Sequence, residues 1–117
     1  MNGGTVESFF KEVIASIEKH FSDYQLEILF KTPKSLKANI HFGQNLFIAV
    51  RYNARNERID FALIYKNQRV FGYDNLKEWH YHPFNNPSIH IPCKEPSIDR
   101  IISEIKEICS KIKKQRG

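Results

Sequence analysis

Between Tyr73 and Cys93 the chain reads YDNLKEWHYHPFNNPSIHIPC, and this stretch gathers the side chains best able to move protons, bind metal or stack on a base. It holds three of the five histidines, one of the two cysteines, the single tryptophan and three of the five prolines. An imidazole can give and take a proton near neutral pH, so two of them can act as general acid and general base. Cleaving RNA needs little beyond such a pair and a cation on the phosphate, because the 2′-hydroxyl is itself the nucleophile. The candidate proton-transfer groups are His80, His82 and His90, with Asp74 to position a histidine or the loop. Arg51, Arg69 and Lys94 are the candidate phosphate contacts, and Trp79 or Tyr81 could stack on a base.

Two other readings use the same residues. His-x-His followed by His-x-x-Cys offers His80, His82, His90 and Cys93 as nitrogen and sulfur ligands for tetrahedral zinc. That spacing matches no established finger, and an extended Trp79–Pro83 is expected to turn His80 and His82 to opposite sides. A reaction without a cofactor therefore stands first, with zinc as the alternative. In the third reading the loop is structural. Trp79 and Phe84 plug the open face of a sheet, prolines fix the path, and the histidines hydrogen-bond backbone groups. Asp74-Asn75 then makes a turn, since both side chains bond neighbouring backbone.

The elements that must position this loop are legible on either side of it. Val6, Phe9, Phe10, Val13, Ile14, Ile17 and Phe21 recur at helical spacing, with Thr5 to cap the start. Ile98, Ile101, Ile102, Ile105, Ile108, Cys109 and Ile112 make the stripe of a last helix opened by Pro96 or Ser97, and Cys109 is expected to be buried there. His20 near the end of the first helix suits the dipole as a cap. Between the helices the period changes to two, predicting strands around Leu26–Phe30, Leu36–Phe42, Leu46–Tyr52, Ile59–Tyr65 and Arg69–Tyr73.

One register can be argued in advance. A two-residue turn at Gly43-Gln44 would put Ile40 on a face with Phe47, mixing apolar and polar sides. A three-residue loop, Gly43-Gln44-Asn45, sets Ile40 against Ile48 and Ala38 against Val50, and Asn45 tolerates the left-handed conformation it needs. The expected fold is α+β: an N-terminal helix, an antiparallel meander of four to five strands, a His/Pro-rich loop and a C-terminal helix. Both helices should pack on one sheet face. Phe47, Ile64, Phe71 and Tyr73 are expected on the other face beside Arg51 and Arg69, with the long loop as their cover.

At 117 residues the chain is expected to form a single domain, residues 1–117. A formal net charge of +5 permits a nucleic-acid partner without requiring one. No apolar run is long enough to span a membrane and the start MNGGTVES lacks a signal-peptide pattern, so a cytoplasmic protein is expected. P-loop, dinucleotide and nucleophile-elbow patterns are absent from the sequence. An uncovered edge strand would leave a homodimer open.

The stretch resembles the TumE-type toxin family of prokaryotic toxin–antitoxin modules. Arg69 to Asn75 is similar to that family's strand ending before Asp-Asn, and His80-Tyr81-His82-Pro83 to its His/Pro segment. Pro87-Ser88-Ile89-His90 answers to its second histidine cluster, and Ile98–Ile112 to its C-terminal helix. The second cluster here has His90 and then Cys93 where the family usually has more than one histidine. The resemblance implies a toxin acting on RNA or on translation, held by an antitoxin protein, with a metal-independent ribonuclease as the enzymatic form. A non-enzymatic binding module, with or without zinc, is the alternative.

Overall fold

The computed structural model describes residues 5–43 and 45–116. Helix α1 spans Val6–His20, and its start is fixed by a reciprocal cap in which Thr5 Oγ1 accepts from the Ser8 amide while Thr5 N donates to Ser8 Oγ. Strands follow at Gln25–Lys31 (β1), Ser35–His41 (β2), Leu46–Asn53 (β3), Arg58–Tyr65 (β4), Gln68–Asp74 (β5), His80–His82 (β6) and Ile91–Pro92 (β7). Helix α2, Ile98–Arg116, closes the chain, with Ser97 Oγ accepting from the Arg100 amide at its start.

The seven strands pair in chain order, each antiparallel to the next. The α+β meander between two helices is thus as expected, and the loop adds two short strands to it. Those strands carry no legible period because three and two residues are too few to show one. Both helices lie on one face, where Phe9, Val13 and Ile17 of α1 and Ile101, Ile102 and Ile105 of α2 close over Leu36, Ile40, Ile48, Val50, Phe61 and Leu63. Cys109 is buried in that core, and burial pushes its thiol up to about 11.

A polar clamp joins the helices. Ser16 Oγ and His20 Nε2 each lie 2.9 Å from Asp99 Oδ1, and Lys19 Nζ lies 3.3 Å from Asp99 Oδ2. His20 therefore bridges the end of α1 to the start of α2, where the expectation had it only capping its own helix. These three donors hold the Asp99 carboxyl below its ordinary range.

Ile40 faces Ile48 and Ala38 faces Val50, the register of the three-residue loop, and Asn45 has φ 61°. Gln44, the middle of that loop, lies outside the described residues. The β4–β5 hairpin departs from expectation. Lys66 and Asn67 both take positive φ in a two-residue turn, and an irregularity follows, with Ile64 opposite Arg69 but Leu63 opposite Phe71. Val70 is the extra residue. A one-residue bulge reverses the side of everything beyond it, so Phe71 and Tyr73 are buried in the core and do not point to the helix-free face. Phe47 and Ile64 remain there, half-buried.

Candidate functional site

Asp74 ends β5, and its Oδ1 accepts from the Leu76 amide while Asn75 Oδ1 accepts from Ile59 N and its Nδ2 donates to Glu57 O. The Asp-Asn pair thus makes the turn that the sequence suggested and ties it to β4. Lys77, at φ 69°, completes the reversal, and β6 returns with His80 opposite Asp74 and His82 opposite Gly72. Gly72 is required by a close approach, since a Cβ there would stand 2.7 Å from the Phe61 carbonyl oxygen.

His80 and His82 share the helix-free face with Asp74. The expectation that they point to opposite sides is wrong, because strand residues alternate and those two apart share a face. Each Nε2 lies 3.2 Å from the same atom, Asp74 Oδ2. His90 enters from beyond the Pro83–Ile89 turn, with its ring stacked on His80 at 4.8 Å and tilted against His82 at 4.5 Å. His80, His82 and Asp74 are buried, whereas His90 is exposed.

The hydrogen bonds assign the ring protons. His80 Nδ1 lies 3.0 Å from Glu78 O and His82 Nδ1 lies 3.1 Å from Pro87 O. A carbonyl only accepts, so both Nδ1 atoms carry hydrogen, and in the neutral ring each Nε2 is a bare lone pair. For His82 that lone pair has a donor, because Arg69 Nη1 lies 3.2 Å away. Both Nε2 atoms also face Asp74 Oδ2 at 3.2 Å, so the two rings share one carboxylate oxygen, and at His82 the Arg69 guanidinium joins them.

Asp60 faces Asp74 across the adjacent strand and Arg51 across the other. Burial and the Asp74 charge raise its carboxyl, while Arg69, Arg58 and Arg51 pull it down. Lys37, Arg51, Asp60, Asp74 and His80 thus form one cross-strand row, with Asn39, Ala49, Ala62, Gly72 and His82 beside it. Asp60 and Arg58 were missed from sequence. Continuing the β2–β3 register one strand further would have found Asp60 opposite Arg51.

The structure brings together His80, His82, His90, Asp74 and Arg69, with Arg51 along the same row. It separates the other candidates. Trp79 lies against Ile59, Phe61, Ile98 and Ile101 on the helix side and does not plug the open face. Tyr81 alternates with the histidines, so it stands beside Tyr73 at 5.6 Å on the helix side. Cys93 and Lys94 line a cleft there with Tyr81, Arg100 and Glu104. The Cys93 amide bonds Trp79 O, in step with the odd-numbered positions, which is why His-x-x-Cys divides between the two faces. The ring nitrogens that lie within 4.8 Å of one another are those of His80, His82 and His90, without sulfur. His41 finds Glu27 Oε1 at 2.9 Å.

A small antiparallel-sheet protein with an imidazole–carboxylate–guanidinium cluster on its helix-free face is, by fold and site, a candidate for proton-transfer chemistry on an anionic substrate. The chain matches the family model described as Toxin TumE over residues 10–111, and it belongs to that toxin family. It is accordingly the toxin of a toxin–antitoxin module, and an antitoxin is its partner. No curated protein and no solved structure gives a match. Among the described residues no helix is long and apolar enough to cross a membrane.

Proposed function

We propose that this toxin is a metal-independent endoribonuclease of the cytoplasm, and that the helix-free face around His82 is its active site. The contact that carries the reading is Arg69 Nη1 on His82 Nε2 at 3.2 Å, a cation beside a basic lone pair. A phosphate drawn to Arg69 takes that guanidinium and frees the lone pair next to it. His82 then removes the 2′-hydroxyl proton, O2′ attacks phosphorus, and the P–O5′ bond breaks. His90, the exposed ring, protonates the departing 5′-oxygen. His80 and Asp74 hold both rings in place, and Arg51 neutralises the next phosphate along the row. Phe47, half-buried on the same face, offers the aromatic surface for a base that Trp79 and Tyr81 cannot.

A second reading has one observation in its favour. Three clustered imidazoles, two of them with Nδ1 tied to carbonyls, resemble a zinc site with its outer hydrogen bonds in place. Arg69 against His82 opposes it, since a guanidinium there repels a cation. Elemental content of purified protein decides, and in the zinc reading Cys93→Ser leaves the metal bound.

Induced expression tests the first reading. Wild type should arrest growth with RNA breakdown, and His82→Ala or His90→Ala should accumulate without either. Undiminished arrest in both variants, or arrest with intact RNA, would refute it.

A further inference from the structure

β1 is unlike every other strand. All seven of its residues are exposed, and it forms one end of the sheet, with β2 as its sole neighbour among the described strands. Leu26, Ile28, Leu29 and Phe30 are between 39% and 46% exposed, and they are four of the six large apolar residues so exposed among the described residues. The opposite edge, β7, is two residues long and contains Pro92, so it offers little to pair with. β1 has no proline, and among the described residues no strand pairs with its outer row of amides and carbonyls.

The irregularity at Leu29 spreads these side chains over both faces. Leu26 and Ile28 pair with the core-facing Ile40 and Ala38, but Phe30 pairs with Lys37 of the helix-free face. On the helix side Lys31 Nζ lies 5.3 Å from the centre of the Phe10 ring of α1 and is bonded to Glu7. At its end the hairpin carries a cleft lined by Thr32, Pro33, Lys34, Ser35, Asn53 and Arg55, which holds two cations and no carboxylate.

We infer that β1 is the anchoring edge for the antitoxin, which adds an extended apolar segment to the sheet and sets an acidic residue into the Lys34–Arg55 cleft. Backbone pairing supplies the grip, and alternate side chains fill the spaces around Leu26, Ile28 and Phe30. Charge selects this occupant over a second copy, because a chain of net charge +5 repels its twin and attracts an acidic partner. β1 lies five strand spacings from β6, about 24 Å, so the anchor itself stays clear of the histidines. The inference rests on the toxin family alone and stands whether or not the toxin cleaves RNA.

The test uses the toxin and its cognate antitoxin, purified as their complex. Amides of residues 25–31 should exchange more slowly in the complex than in free toxin. Ile28→Lys should weaken the complex about 100-fold, the scale of a central interface residue, and Lys34→Glu about tenfold. Leu76→Lys, an equally exposed apolar site elsewhere, should bind as wild type. Thermal midpoints of all three should match wild type, and each should keep the toxicity of the free toxin. Slowed exchange confined to other elements, or Ile28→Lys binding within threefold of wild type, would overturn the inference. So would free toxin running at twice 13.8 kDa in a dimer that Ile28→Lys dissociates, which would give the edge to a second copy.

Discussion

His82 Nε2 lies 3.2 Å from Asp74 Oδ2, and the Nδ1 on the other side of the same ring is committed to the Pro87 carbonyl. The ring is therefore held at both ends, and the basic nitrogen is turned toward the carboxylate and Arg69. His80 repeats the arrangement with the Glu78 carbonyl. Ordering of this kind suits acid–base work, since no reorientation is needed at the moment of proton transfer.

Replacing single rings should separate chemistry from stability. His90 is exposed, so His90→Ala should shift folding by no more than about 0.5 kcal/mol while lowering cleavage about 100-fold or more. His82→Ala should lose both, because it removes a buried hydrogen-bonded ring at a cost of about 1–3 kcal/mol. Denaturation alongside RNA cleavage assays checks the pair of expectations.

The carboxylates of Asp60 and Asp74 should report on one another. Asp74 is one cause of the raised Asp60 carboxyl and Arg69 opposes it. Asp74→Asn should lower the Asp60 midpoint and Arg69→Ala should raise it, as read by the carboxyl carbon in an NMR titration. Opposite movements would break the proposed row of coupled charges.

Much of this fold was legible in the sequence, and the misses have local causes. The two helices and the β2–β3 register follow from apolar spacing and a left-handed Asn45. Phe71 and Tyr73 were assigned to the wrong face because a single inserted residue, Val70, leaves no compositional mark yet inverts the alternation. In the site, Asp74 and the three histidines were found by type and spacing. Asp60 was passed over because an acid among Ile59, Phe61 and Leu63 looks like an ordinary solvent-facing residue until its neighbours across two strands are known. Trp79 and Tyr81 were drawn to the histidines by proximity in sequence, which a strand divides between its two faces.

Gly72→Ala should be costly for its size. The added Cβ meets backbone, the Phe61 carbonyl oxygen, at 2.7 Å, and β4 and β5 must separate to admit it. We expect a loss of about 1–3 kcal/mol, the range for overpacking, with cleavage reduced in the surviving folded protein because His82 pairs with Gly72. Chemical denaturation and activity normalised to folded protein check it.

The Asp99 clamp should shape stability in acid. Its folded carboxyl lies below the ordinary aspartate value, held there by His20, Ser16 and Lys19, so its contribution is present above the ordinary value and is lost as pH falls through the folded one. Asp99→Asn should melt lower than wild type at pH 7, and the two melting curves should converge well below pH 3.8. Thermal scans across pH 2–7 measure this directly.

The most direct measurement of the central claim is cleavage of a defined RNA by purified toxin in excess EDTA, with the termini of the products identified. Attack by the 2′-hydroxyl through His82 and His90 predicts products ending in a 2′,3′-cyclic phosphate, and no cut where a 2′-deoxynucleotide replaces the nucleotide 5′ of the scissile bond. Cleavage abolished by EDTA and restored by a divalent metal, or an unchanged rate with His82→Ala and His90→Ala combined, would contradict it.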